Sequence, residues 1–351
     1  MKILLIIFSL VTYLTCALSD SGTPISLEMA CKKALSAVTC SFNFANNGNE
    51  DYYLFKRNTP LEGIRSPFLT ITREGTLILY EGIIVYRLPP TKENFVLLKA
   101  GESISVTVQI TDAFSIDTDG LYTVQYSRPL QYLSVNEMSA MSVNQLRESS
   151  VRESVQLYLE DTHLLLKPKK EEVKIDYTVH LQDCGSASFS NGDKNNSLTL
   201  DAHKKLCDGI DKALRRIGSN DIYERWFGTY TFTRGSTVRS TYDYMKTGLD
   251  TRSLTYYNNG PDCKSNEAAY TTPSYWTTTV YLCGPYYGLG TYCSGTGDTK
   301  ERILAHEWSH ALANRADEEY GVDKCKELAR SSPDKAINNA DSYSYHYCES
   351  Q

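Results

Sequence analysis

Between Ser26 and Leu166 the hydrophobic positions alternate with polar ones. Ile104, Val106, Val108 and Ile110 are interleaved with Ser105, Thr107 and Gln109, and the same period of two recurs at Tyr122, Val124 and Tyr126 and at Val155, Leu157 and Leu159. That period is expected of strands with one buried face. Arg73-Glu74-Gly75-Thr76 and Asp117-Thr118-Asp119-Gly120 supply turn residues between such runs. The pattern predicts an antiparallel β-sandwich as an N-terminal domain over residues 18–168. Nothing in it gathers histidine, cysteine and carboxylates into a catalytic-looking group. Lys167-Pro168-Lys169-Lys170-Glu171-Glu172 is poor in core residues and carries a dibasic pair, so residues 169–183 read as a linker with a possible processing region, the alternative being a plain solvated loop. Beyond Cys184 the period changes. Leu206, Ile210, Ala213, Leu214 and Ile217 fall at helical spacing over 202–217, with Asp201 as a candidate cap. A stretch rich in Tyr, Thr, Ser and Gly from Gly228 to Gly297 contains a strand at Thr277–Leu282, and helix returns after Asp298. Residues 184–351 therefore read as a second, α+β domain.

Composition narrows the class. With 351 residues, 41% hydrophobic and 22% charged, the chain has core material for two domains and is not a disordered polymer. A formal charge of -6 leaves no cationic excess for phosphates or anionic lipid, which argues against nucleic acid or a membrane surface as partner. Lys2, an apolar run from Ile3 to Leu14, and Thr15-Cys16-Ala17 have the parts of a secretory signal peptide over residues 1–17. The run is too short to span a bilayer, so the expected product is soluble, secreted and extracellular. Cys31, Cys40, Cys184, Cys207, Cys263, Cys283, Cys293, Cys325 and Cys348 follow the signal, and in an oxidising compartment most of them should pair. Asn195-Asn196-Ser197 is a glycosylation sequon.

The chemistry concentrates near the C-terminus. Asp298-Thr299 can cap a helix that runs through His306-Glu307-Trp308-Ser309-His310. Residues four apart share a helix face, so both imidazoles can reach one cation while Glu307 stands beside it. Leu304, Trp308, Ala311 and Leu312 form a second face that buries the helix, leaving the histidines toward a cleft. This is the H-E-x-x-H arrangement of zinc peptidases, and catalytic zinc needs a third protein ligand and an open position. An H-E-x-x-H-x-x-G-x-x-H signature is excluded because Ala313 and Ala316 occupy the required Gly and His positions. Glu319 and Asp323 would need a second helix for which little chain is available, and Asp317 is the better candidate. His163, His180 and His203 read as ordinary residues, and His346 as a packing residue with a pocket-lining role as the alternative.

Asp317-Glu318-Glu319-Tyr320-Gly321 matches the D-x-x-Y-G core of the aspzincin signature, and the chain resembles that family, which includes deuterolysin and peptidyl-Lys metalloendopeptidase. Trp226-Phe227-Gly228, Thr279-Val280-Tyr281-Leu282-Cys283-Gly284, Pro333-Asp334-Lys335-Ala336 and Asn339-Ala340-Asp341-Ser342-Tyr343 extend the likeness in family order across 184–351. The resemblance implies a zincin-like peptidase domain and one catalytic Zn2+ held by His306, His310 and Asp317. It implies Glu307 as the proton acceptor and Tyr320 as the phenol that stabilises the oxyanion, with Tyr286 as a second candidate. Asn314-Arg315 stand where the family usually has Gly-Thr, and the interval from His310 to Asp317 is shorter. In peptidyl-Lys members two acidic residues of an N-A-D-x-x-E segment select lysine on the leaving-group side. The matching positions are Asp341 and Ser344, which implies a weaker preference for a basic residue; a second role for Asp341 is to orient a ligand histidine. Asn58-Thr59-Pro60-Leu61-Glu62-Gly63 and Leu98-Lys99-Ala100-Gly101-Glu102 are similar to the propeptide of secreted relatives. That likeness implies a folding aid or intramolecular inhibitor, with a permanent accessory domain as the alternative. The resemblance to the family also favours Cys263–Cys283 and Cys293–Cys348 disulfides. Cys31–Cys40 suits the N-terminal half, and Cys207 with Cys325 would leave Cys184 unpaired. The expected activity is secreted, zinc-dependent hydrolysis of proteins and peptides; the rival is a non-catalytic secreted binding protein with a structural zinc site.

Overall fold

A computed structural model describes residues 23–140, 146–169, 172–182, 184–275 and 277–351. The signal peptide expected over 1–17, with Cys16, lies outside the described residues, as do Lys170, Glu171 and Asp183 of the expected linker.

Apart from Ile84–Arg87, the strands up to Leu159 pair antiparallel in three sheets around a core that includes Phe42, Leu54, Phe68, Val124 and Tyr126. Ile25–Ala34 and Ala37–Asn46 form a hairpin with Cys31 opposite Cys40, and those two are disulfide-bonded. Along Gly120–Tyr126 every second residue is buried, as its alternation requires.

A six-stranded sheet organises the rest. Its order is Tyr177–His180, Ser186–Ser190, Ser253–Asn258, Thr279–Leu282, Glu267–Thr271 and Ile84–Arg87. Pairing is parallel in the centre and antiparallel toward both edges. Both edge strands come from upstream of Cys184. One lies inside the expected linker and the other, Ile84–Arg87, inside the N-terminal half.

The Lys300–Ala313 helix is buried along its whole length among the helices Asn196–Arg215, Phe232–Thr251 and Ala340–Glu349. Burial on all sides fixes its rotation. The helix expected over 202–217 begins earlier, at Asn196, because the Asp193 carboxylate accepts the Asn196 N–H at 3.2 Å; Asp201 is therefore interior, not a cap. Phe232–Thr251, inside the stretch read as Tyr/Thr/Ser/Gly-rich, is a helix whose Val238, Tyr242, Met245 and Leu249 face the core.

Cys263–Cys283 and Cys293–Cys348 are bonded as the resemblance implied. The remaining assignment is corrected. Cys184 pairs with Cys207, and Cys325 is free and buried. Cys184 precedes the Ser186–Ser190 strand that packs on the Cys207 helix, whereas the Cys325 thiol lies beside Asn339 and the Asp341 carboxylate.

His346 points away from Asp341, into a cage of Tyr242, Phe227 and Tyr223, with Nδ1 at 2.9 Å from the Tyr242 hydroxyl. Burial pushes its pKa down to about 3, and burial likewise lowers His203 to about 4. Both are neutral in the fold, whereas an unfolded histidine titrates near ~6.5. As pH falls below that value the unfolded chain gains protons that the folded chain refuses, so stability declines from neutrality toward pH 4. The thermal midpoint is expected to drop between pH 7 and 5, and His346→Gln to flatten that drop; an unchanged pH slope would refute the assignment.

Candidate active site

His306 and His310 lie one turn apart on the buried helix with their Nε2 atoms 3.0 Å from each other. Asn314 ends the helix in the left-handed conformation (φ 53°), and the N–H groups of Asn314 and Arg315 bond back to the His310 and Ser309 carbonyls, both at 3.0 Å. Asparagine tolerates that conformation better than most side chains, so it performs the turn for which glycine is the common choice. The reversed chain then docks beside the last helix: Ala316 N–H bonds to the Asn338 carbonyl at 2.8 Å and Ala340 N–H to the Ala316 carbonyl at 2.9 Å. The Asn339 side chain accepts the Glu318 and Glu319 N–H groups at 3.0 and 3.1 Å. This turn delivers Asp317, whose Oδ1 is 3.2 Å from each imidazole Nε2. Glu319 and Asp323 are not part of the cluster.

The outer contacts determine where the imidazole protons sit. His306 Nδ1 is 3.1 Å from Asp341 Oδ1, and His310 Nδ1 is 2.5 Å from the Arg315 carbonyl. Both partners are acceptors, so each Nδ1 carries the hydrogen and each Nε2 turns a lone pair inward. Asp317 Oδ1 has no hydrogen-bond donor. Three acceptor atoms thus converge in a buried space. Two imidazole nitrogens and one carboxylate oxygen are a donor set suited to Zn2+, whose tetrahedral ligands lie roughly 3.3 Å from one another. The residues present fit the ion. Without a cation, burial disfavours charge on His306, yet the Asp317 and Asp341 carboxylates outweigh it and hold its pKa up at about 10. Burial would raise Asp317, but His310 and His306 hold it well below the usual carboxylate range.

Glu307 is fully buried, and burial raises its pKa to about 8. Neither of its oxygens has a hydrogen-bond partner within ordinary reach, although the Tyr86 backbone amide lies near enough to favour its ionised form. It stands ready to exchange a proton. The Tyr320 hydroxyl lies against the other Asp317 oxygen and 3.2 Å from the Val85 carbonyl oxygen.

Asp341 lies beside the His306 imidazole, within the fold. It is 2% exposed, faces His306, accepts the Gly321 N–H at 2.8 Å and lies 3.7 Å from the Arg302 guanidinium. Ser344 hydrogen-bonds the Asp341 carbonyl at 2.9 Å and is fully buried. Tyr286 is not brought to the site. It is buried in the core, in contact with Thr199, Lys300 and Tyr287, so its candidacy as a catalytic phenol is withdrawn. Reading the sequence missed Arg302, Asn339, the Arg315 carbonyl and Tyr86. Arg302 could have been found one turn before His306 on the same face, but Tyr86 carries no local signal.

The family model for lysine-specific metallo-endopeptidases matches residues 213–348. The peptidyl-Lys metalloendopeptidase of Pleurotus ostreatus is 34% identical over 155 residues, which are 43% of this chain and 86% of that protein. The chain belongs to the aspzincin family. An extracellular protease of Aeromonas hydrophila is 27% identical over 315 residues, 88% of this chain and 87% of that one. A solved zinc peptidase from Grifola frondosa aligns with a TM-score of 0.40 and 27% identity, covering 45% of this chain and 97% of that one. This aspzincin is a zinc metalloendopeptidase, a hydrolase acting on protein or peptide substrates.

Removing Asp341 should leave the fold but release the His306 ring. Asp341→Asn is expected to weaken zinc affinity about 10- to 100-fold in a chelator competition titration. Unchanged affinity would remove its orienting role.

Proposed function

We propose that this aspzincin is the precursor of a secreted endopeptidase with one catalytic zinc held by His306, His310 and Asp317. The observation that carries the reading is the convergence of three buried acceptor atoms beside a carboxylate, Glu307, that is itself unpartnered. When bound, zinc supplies acidification of water and polarisation of the scissile carbonyl. Glu307 takes the proton of the attacking water and returns it to the leaving amine. Tyr320 offers its hydroxyl to the carbonyl oxygen as negative charge grows there, and Asp341 and the Arg315 carbonyl keep the two imidazoles in register. Secretion is supported by the charged, apolar and small-residue segments at the N-terminus and by four disulfides among the described residues.

In this reading the N-terminal β-rich part, residues 18–168, is a folding aid and inhibitor removed near Lys167–Asp183. Its contacts with the site support that role: Arg128 donates to the Asp317 carbonyl at 2.8 Å and pairs with Glu318 at 3.5 Å. A preference for a basic leaving-group residue would rest on Asp341 and Ser344. Their commitments inside the fold, with Arg302 already beside the carboxylate, count against it. The rival reading, a binding protein with structural zinc, gives no use to a buried, unpartnered Glu307, since structural sites fill their fourth position with protein.

Glu307→Gln is expected to lower casein hydrolysis by the zinc-loaded secreted protein by about a thousandfold while zinc stays bound. Activity retained in that variant would remove the proposed base.

A further inference from the structure

His306, Glu307 and His310 have no exposed surface, and Asp317 is 3% exposed. A cleft of about 990 Å³ opens next to them, lined by Arg302, Tyr320, Asp341 and Tyr345, and Tyr86 stands between it and the imidazoles. The covering segment is the edge strand Ile84–Arg87, antiparallel to Glu267–Thr271 with Val85 opposite Tyr270 and Tyr86 opposite Ala269. Adding an extended peptide to a sheet edge is a general way of holding a substrate chain. The Val85–Tyr86 peptide unit is placed to match. Its carbonyl oxygen is 3.2 Å from the Tyr320 hydroxyl, and its amide nitrogen, that of Tyr86, faces the Glu307 carboxylate. Those are the two groups that hydrolysis requires on either side of the cut.

The Tyr86 side chain, 3% exposed, then occupies the leaving-group side. Its ring packs edge-on to His306 at 4.7 Å, and its hydroxyl meets Asp298 at 2.7 Å and the Arg302 guanidinium. Arg302 is held in place by Asp298 and by stacking on Tyr345 at 4.3 Å. The phenol oxygen donates to the Asp298 carboxylate and accepts from the Arg302 guanidinium, a two-sided match that an ammonium, which can only donate, leaves half made. The strand is presented by its own half of the chain: Arg87 pairs with Glu62 at 2.8 Å, and Arg65 with Glu267 of the neighbouring strand at 2.6 Å.

We propose that Ile84–Arg87 is an internal substrate mimic whose Val85–Tyr86 bond lies where a substrate's scissile bond lies, and that the enzyme cleaves before tyrosine. The inference rests on the peptidase reading above and adds to it the substrate class. The test uses intact, zinc-loaded full-length chain, unsubstituted and as Tyr86→Ala, with blocked peptides Ile-Val-X-Arg in which X is Tyr, Lys or Ala. Tyr86→Ala is expected to cleave the Tyr peptide about tenfold faster than the unsubstituted chain does, and about tenfold faster than it cleaves the Lys or Ala peptides. Should Tyr86→Ala fail to fold, Tyr86→Phe keeps the ring and loses only the hydroxyl contacts; a rise of about fivefold is expected from it. Equal rates in all chains, or faster cleavage of the Lys peptide, overturn the mimic while leaving the peptidase intact. Absence of cleavage of casein and of every peptide by all folded chains, with zinc bound, overturns the peptidase reading and the mimic together.

Discussion

Everything at this site depends on where two hydrogens sit. Each of the two imidazoles has one nitrogen occupied by an acceptor, Asp341 for His306 and the Arg315 carbonyl for His310, so the opposite nitrogens are left as lone pairs aimed at one point. Adding Asp317 makes three acceptors in a space with no donor, an arrangement that only a cation or a proton relieves. The cost of holding such a cluster out of water is borne by the surrounding packing. The helix that carries it is buried on all sides and the last helix is tethered by Cys293–Cys348. Asn339 meanwhile fixes the returning loop by accepting the Glu318 and Glu319 N–H groups on its side-chain oxygen.

Local signals made the centre of this arrangement legible. The four-residue spacing of His306 and His310 depends only on helix geometry, and a carboxylate soon after the helix was the natural third partner. The strand alternation at Gly120–Tyr126 and the Cys31–Cys40 hairpin could be read for the same reason. What escaped was long-range. The Phe232–Thr251 helix was obscured by its Tyr, Thr and Ser content, although Val238, Tyr242, Met245 and Leu249 carry its period. Cys184 and Cys207 are 23 residues apart, and their pairing follows from a strand packing on a helix, which no spacing rule encodes. Tyr86 was least accessible of all, since its position depends on a strand crossing from one half of the chain into the sheet of the other.

Asp341 depends on the same kind of long-range placement. Position in a motif placed it near the site, but only the geometry distinguishes a carboxylate open to substrate from one that is spent within the fold. With His306, the Gly321 amide and Arg302 around it, its charge is fully used. Arg302, paired with Asp298 and close to Asp341, in turn gives the neighbouring space a fixed donor, so one residue a single turn before His306 changes what the cleft can recognise.

The borrowed strand at the sheet's edge has a consequence for how the molecule is made. An unpaired Glu267–Thr271 would present a row of bare backbone donors and acceptors, an invitation to adhesive pairing between newly made chains. By lending Ile84–Arg87 to that row, the earlier-synthesised half meets the later one with a ready partner and closes the seam within a single polypeptide.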